Sequence, residues 1–177
     1  MSKKFLIYMA VVAAVAVAVY AYVGGFAQVA VSQTVTQQTF MAGKYFEGNP
    51  DSDALGDLYL EVGQAVERKQ LTGALGGIFY SAPTENNKTV KAFIGVAVAD
   101  SSVTLPAGFE LRTVPAGEPV LQGTLDASMM VAHKKIYAAL FDYAEENKVG
   151  LQEFYLERFP ENGPAVIQIK VQQQQSR

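Results

Sequence analysis

The first part of the chain is a continuous run of apolar side chains. Residues 5–23 carry no charged group, and the next charged residue after Lys4 is Lys44. A helix rises about 1.5 Å per residue, so this run is just long enough to cross a hydrocarbon core about 30 Å thick. We therefore predict a single transmembrane helix, with residues 1–24 as an N-terminal anchor.

A cleaved signal peptide is the competing interpretation, because Lys3 and Lys4 provide a basic start. The apolar run is longer than the roughly 7–15 residues typical of such a peptide, and no Ala-x-Ala sequence follows it. The pattern therefore favours an uncleaved span. By the positive-inside rule, the two lysines predict a cytoplasmic N-terminus and a domain on the extracytoplasmic side of the cell membrane.

After the anchor, the pattern becomes that of a folded α+β domain. Residues 25–38 are uncharged and rich in Gln, Thr and Val, and we assign them as a tether whose later part could form a strand. Apolar positions recur at helical spacing over residues 53–69 and 128–147, and β-prone runs flank both segments. We predict one domain over residues 39–172 and a polar tail over residues 173–177.

The two halves of this domain repeat the order of helix, glycine, strand, proline turn and strand. The same offset of 77 positions separates Gly73 from Gly150 and Pro83 from Pro160. This order predicts two tandem β-α-β-β repeats that form one mixed sheet, with both helices on one face. The other face of the sheet would be left uncovered as a groove.

The strand around residue 157 supplies the candidate binding residues. If Phe154 and Leu156 pack against the helices, alternation along the strand turns their neighbours toward the groove. A carboxylate among aromatic rings suits an organic cation, because the rings add cation–π and stacking contacts. An ordinary solvated glutamate is the alternative. The predicted groove residues are Tyr155, Glu157 and Phe159, with Ile78 and Tyr80 from the first repeat and Tyr45 at one end.

Composition narrows the classes of function. The chain has 14 Lys plus Arg against 17 Asp plus Glu and no basic run, so we expect no nucleic-acid partner. It contains no Cys, which excludes disulfides, thiolate metal sites and iron–sulfur clusters. His133 is the only histidine, and it has the spacing of neither a metal site nor a catalytic triad with Ser128. We expect no cofactor.

Five short segments follow one another along the two repeats, and the last of them ends in Glu157-Arg158-Phe159. The segments are 42–48, 111–117, 120–123, 136–140 and 154–159. By these segments the second half resembles the GyrI-like small-molecule-binding family, which includes the effector-binding domains of multidrug-responsive transcription activators and the DNA gyrase inhibitory protein. Glu157-Arg158-Phe159 matches the family's E-x-aromatic motif, the first repeat resembles the family's opening repeat, and the likeness extends over about residues 39–171.

The resemblance implies a tandem β-α-β-β fold in which Glu157 contacts a ligand. A membrane-anchored branch of the family has the same layout as this chain, with one N-terminal span before the domain. The sequence departs from the family in two respects, because it has no helix-turn-helix module and no Trp. The leading hypothesis is a non-enzymatic protein that binds a small organic ligand or a peptide. Two alternatives stay open. One is a hydrolase of reactive electrophilic compounds, in which Glu157 activates water and Tyr155 or Tyr80 polarises the substrate. The other is a structural or adaptor protein with a vestigial groove.

Overall fold

The computed structural model describes residues 3–81 and 88–172, which form three helices and one eight-stranded sheet. The predicted turn beginning at Pro83 and the predicted tail at 173–177 lie outside the described residues. In chain order the elements are α1 (Lys3–Tyr22), β1 (Ala30–Val35), β2 (Thr39–Gly48), α2 (Asp53–Glu67), β3 (Ala74–Phe79), β4 (Val90–Val98), β5 (Glu110–Val114), β6 (Pro119–Leu125), α3 (Met129–Glu146), β7 (Leu151–Phe159) and β8 (Ala165–Val171).

The apolar run at the N-terminus forms α1, and none of its residues is buried. Among the described residues it is the one helix that is long and apolar enough to cross a membrane. A helix with apolar side chains on every side is what a lipid environment requires, because its backbone groups are bonded internally. The predicted helical anchor therefore has the length and composition of a membrane span.

The strands are ordered β1-β6-β8-β7-β3-β4-β2-β5, and neighbouring strands are antiparallel throughout. The expectation of a mixed sheet was wrong. The two repeats, β2-α2-β3-β4 and β6-α3-β7-β8, meet at β3 and β7. Because the strand order is mirrored about that seam, equivalent strands run in opposite directions.

Both repeat helices cover the same face of this sheet. Apolar residues of α2 and α3 form one large core with inward-facing residues of the strands, including Val62, Ile136 and Ile94. A smaller apolar cluster, which includes Met41 and Phe93, lies on the opposite face, and no residue of the three described helices belongs to it. The predicted α+β fold with two helices on one face is thus confirmed.

The segment predicted as a tether is partly a strand. Residues Ala30–Val35 form β1, which pairs with β6 at one edge of the sheet. The next residue, Thr36, is buried. Its hydroxyl donates a hydrogen bond to the Pro115 carbonyl at 2.6 Å and accepts one from the Glu118 amide at 3.0 Å. An uncharged, β-prone stretch has enough pairing capacity to complete the sheet, so the folded region begins before residue 39.

Candidate functional site

A cavity of about 400 Å³ lies between α2 and α3 above the centre of the sheet. Most of its wall is apolar, formed by Tyr59, Val62, Leu75, Ile94, Met129 and Phe159. Its ionisable side chains other than that tyrosine are Glu157, from β7, and His133, from the second turn of α3. The cavity therefore joins residues of both repeats around one carboxylate.

Gly76 and Gly95 line this cavity, and Gly77 follows Gly76 in β3. Gly77 is paired with Glu157 across the β3–β7 seam, and a Cβ atom there would lie 3.1 Å from the Ile94 side chain. Gly76 and Gly95 are paired with each other, and a Cβ atom on either would lie within 2.2 Å of a backbone oxygen of the neighbouring strand. Glycine therefore permits a close approach of strands beneath the cavity.

Glu157 is the centre of the polar contacts. It is only 4 % exposed, and its Oε1 atom accepts a hydrogen bond from the Tyr137 hydroxyl at 2.7 Å. His133 Nε2 lies 3.3 Å from the same oxygen. No described residue donates a hydrogen bond to Oε2. A buried carboxylate needs donors or an opposite charge, so Oε2 is the atom with capacity for a ligand.

The surrounding pKa values follow from this contact. The hydrogen bond to Glu157 raises the pKa of His133, while partial burial works in the opposite direction. Burial, followed by the charge of Glu157, raises the pKa of Tyr137 and of Tyr59 far above the usual range. Both phenols therefore stay protonated at neutral pH, and His133 keeps its proton to a higher pH than a free imidazole because its pKa is raised.

Aromatic rings surround the carboxylate on the α3 side. The His133 and Tyr137 rings lie 4.9 Å apart, and the Tyr137 ring also lies 5.8 Å from Phe141 and 6.0 Å from Tyr155. These contacts fix the position of the phenol that donates to Glu157. Within residues 3–81 and 88–172, no group of three or more His, Asp or Glu side chains converges in a way that could hold a metal ion.

The structure brings together only part of the predicted site. Glu157 and Phe159 line the cavity, and Tyr155 lies on the same face but is buried against Tyr137. This face is the helix-covered one, whereas the sequence placed these residues on the uncovered face. The assumption that Phe154 and Leu156 face the helices was wrong, because both belong to the apolar cluster on the opposite face.

The predicted partners of Glu157 from the first repeat are on the wrong side of the sheet. Ile78 and Tyr80 pack in the cluster on the uncovered face. The Tyr80 hydroxyl accepts a hydrogen bond from Arg112 at 2.9 Å, and the Arg112 guanidinium lies 5.1 Å from the Tyr45 ring. Ile78, Tyr80 and Tyr45 therefore form part of a separate surface, and Tyr80 cannot assist Glu157.

Sequence reasoning missed His133, Tyr137 and Tyr59 as members of the site. His133 was considered only as a metal ligand or a member of a triad. A signal was present in the spacing, because residues four apart lie on the same side of a helix and His133 and Tyr137 are such a pair. Tyr59 lies in the segment 53–69 that was predicted to be helical from its apolar spacing, and its side chain lines the cavity.

Comparison with known proteins identifies the fold. No family model matches the sequence, and no curated protein matches it. The integron cassette protein VCH_CASS2 from the mobile metagenome of Vibrio cholerae has a TM-score of 0.60 at 12% identity, covering 80% of this chain and 95% of that one. SAV2435 bound to tetraphenylphosphonium has a TM-score of 0.54 at 11% identity, covering 81% of this chain and 94% of that one.

A third similar protein is EcmrR. Its C-terminal domain has a TM-score of 0.53 at 18% identity, covering 82% of this chain and 98% of that one. These solved structures have GyrI-like effector-binding folds, so the resemblance found in the sequence is confirmed at the level of the fold.

The expectation that nucleic acid is excluded was wrong. EcmrR is also solved in a complex with DNA, at a TM-score of 0.54 and 14% identity, with 81% of this chain and 57% of that one covered. A mild negative charge on one domain does not exclude nucleic acid for proteins of this fold, because the contact can be made by other parts of such a protein.

Proposed function

We propose that this protein, a small-molecule-binding domain by its GyrI-like fold, is a membrane-anchored receptor for organic cations. The ligand occupies the cavity between α2 and α3, where Glu157 provides the opposite charge and the aromatic and aliphatic walls provide the contact area. The observation that carries the proposal is the buried carboxylate, which has one oxygen to which no residue within 3–81 or 88–172 donates, in an otherwise largely apolar cavity.

The chemistry of the cavity favours a cation with a large apolar surface. Burying a carboxylate away from water is costly unless a charge or a hydrogen bond compensates for it, and a ligand cation would supply that charge. Tyr59 and Phe159 offer rings for cation–π contact. The ligand in the SAV2435 structure, tetraphenylphosphonium, has these properties and supports the choice of class.

The anchor and its orientation are part of the proposal. α1 has the length and composition of a single span, and Lys3 and Lys4 lie at its N-terminal end. The positive-inside rule then puts the N-terminus in the cytoplasm and the binding domain on the extracytoplasmic side of the cell membrane.

Calorimetric titration with tetraphenylphosphonium tests the binding role of Glu157. The full-length chain in detergent micelles should bind the cation, and Glu157→Gln should weaken binding by about tenfold or more, equivalent to about 1.4 kcal/mol. Glu153→Gln is the matched control, because Glu153 is on the same strand but exposed. Equal losses in the two variants, or no loss in either, would refute the role of Glu157.

A further inference from the structure

The residue that follows α1 is hydrogen-bonded to the residue that precedes α3. The Ser128 amide donates to the Val23 carbonyl at 3.0 Å. A Cβ atom on Gly24 would lie 2.5 Å from the Cβ of Ala127, so the chain after the span packs closely against the residues that precede α3. Lys135 of α3 donates to the carbonyls of residues 25 and 27 at 2.9 and 2.5 Å. The first turns of α3 are thus held at the end of the apolar helix.

Large apolar side chains are exposed at this junction. Tyr22 is 91% exposed, Met130 is 85% exposed and Phe26 is 65% exposed. We call these three residues the junction patch. Exposed apolar groups of this size are typical of interaction surfaces, and aromatic residues at the end of a span are enriched at the membrane–water interface. The patch continues the apolar surface of α1, so we expect it to contact the lipid headgroup layer.

The cavity opens beside the junction patch. Met129 lines the cavity but is 48% exposed, so it lies at the rim, and it is the residue between Ser128 and Met130. His133 is one helical turn further along and contacts Glu157. At about 1.5 Å of rise per residue, the cavity begins within about 8 Å of the end of the span, which is close to the thickness of the headgroup layer.

We infer that the cavity opens into the headgroup layer and receives its ligand from there, so that the ligands are amphipathic organic cations that partition into membranes. This inference rests on the proposed function. The chemistry of the cavity agrees with it, since a cation with a large apolar surface accumulates at the lipid interface, next to the rim at Met129 and the carboxylate behind it. The membrane then acts as the reservoir from which the cavity fills.

Site-specific labelling from the lipid side tests this arrangement. The chain has no cysteine, so Met130→Cys and Glu146→Cys each introduce a single thiol into the full-length protein. Each variant is placed in phosphatidylcholine nanodiscs containing a lipid with a maleimide on its headgroup, and a water-soluble maleimide gives the reference rate. Glu146 is exposed as well but lies about 24 Å further along α3, given the rise of about 1.5 Å per residue.

The ratio of lipid-borne to soluble labelling should be an order of magnitude higher at residue 130 than at residue 146. Equal ratios would overturn the inference.

In a second arm, Met129→Cys should be labelled by the lipid maleimide, and tetraphenylphosphonium should slow this labelling unless Glu157→Gln is also present. If the lipid maleimide labels Met129→Cys but the cation does not slow the labelling, the proposed function is refuted, while the contact of this region with the membrane is still supported. Protection from soluble maleimide in micelles without lipid labelling in nanodiscs would refute the membrane entrance alone.

Discussion

At the scale of single residues, His133 is a group of the protein itself that can place a positive charge against Glu157 when its imidazole is protonated. The hydrogen bond to the carboxylate raises the pKa of His133, so the imidazole stays protonated to a higher pH than a free histidine. A protonated His133 neutralises the charge that a cationic ligand would use. A cationic ligand and the protonated imidazole would therefore compete for the same carboxylate, and pH would set how strongly His133 competes.

We expect the affinity for tetraphenylphosphonium to rise as the pH increases from about 6 through the raised pKa of His133, by up to about tenfold. Deprotonation removes the internal cation and leaves the carboxylate for the ligand. Titrations of the full-length chain at several pH values measure this, and His133→Gln should give a flat profile over the same range. A profile that is unchanged in the variant would exclude His133 as the cause.

The same pair gives an opposite trend in stability. Because the folded pKa of His133 is raised, its contribution to folding is fully present below the unfolded pKa of about 6.5 and is lost as the pH rises through the folded value. Wild-type protein should therefore lose thermal stability over the pH range in which it gains affinity. Thermal unfolding of the chain without ligand, compared with His133→Gln, separates this effect from general pH dependence.

At the scale of elements, α2, α3 and the strands that follow each of them could be predicted from periodicity, but the strand at Thr39–Gly48 and the facing of the central strands could not. Both faces of β3 and β7 carry apolar residues, so alternation does not say which set meets the helices. The offset of 77 between the repeats is odd, so it matches odd-numbered residues of β3 with even-numbered residues of β7. In the structure, the residues that face the helices are odd-numbered in both strands, as with Phe79 and Tyr155. A shift of the alignment by one residue puts every side chain on the other face of the sheet. For this reason the sequence analysis wrongly placed Ile78 and Tyr80 beside Glu157.

The close strand approach at the floor of the cavity gives a prediction about stability. Gly95→Ala should lower the free energy of unfolding by about 3 kcal/mol or more, because its Cβ atom would lie 2.2 Å from the Ala42 carbonyl oxygen. Gly63→Ala is the control, since nothing lies within 4 Å of a Cβ atom at that position in α2. The control should gain about 0.5–1 kcal/mol from helix propensity. Urea denaturation measures both, and similar values would show that the strands can separate at no cost.

At the scale of the whole molecule, part of the stretch between the apolar helix and residue 39 belongs to the sheet, as β1. The sequence shows an uncharged stretch after the span, but only the structure shows that it pairs with β6 and that Thr36 bonds to residues near 115–118. Such long-range partners leave no local signature in a single sequence. The apolar helix at Lys3–Tyr22 was predictable, because a run of apolar residues needs no partner to be recognised.

A chain truncated to begin at Thr39 should therefore be less stable than one that begins at Gly25. The shorter chain loses β1, the buried hydroxyl of Thr36 and the carbonyl partners of Lys135, for which we expect a loss of about 2 kcal/mol or more. Thermal and chemical unfolding of the two truncated chains measure the difference. Equal stability would return residues 25–38 to the role of a simple tether.

The seam between β3 and β7 has a consequence for how such a cavity can arise. Tyr59 and Val62 come from one repeat and His133 and Glu157 from the other, so neither repeat alone encloses the cavity. An ancestral half-length module could have acquired this cavity only by pairing with a copy of itself. Once both copies were on one chain, each wall could change independently, so that a symmetric pair of modules could become a domain with one acidic wall.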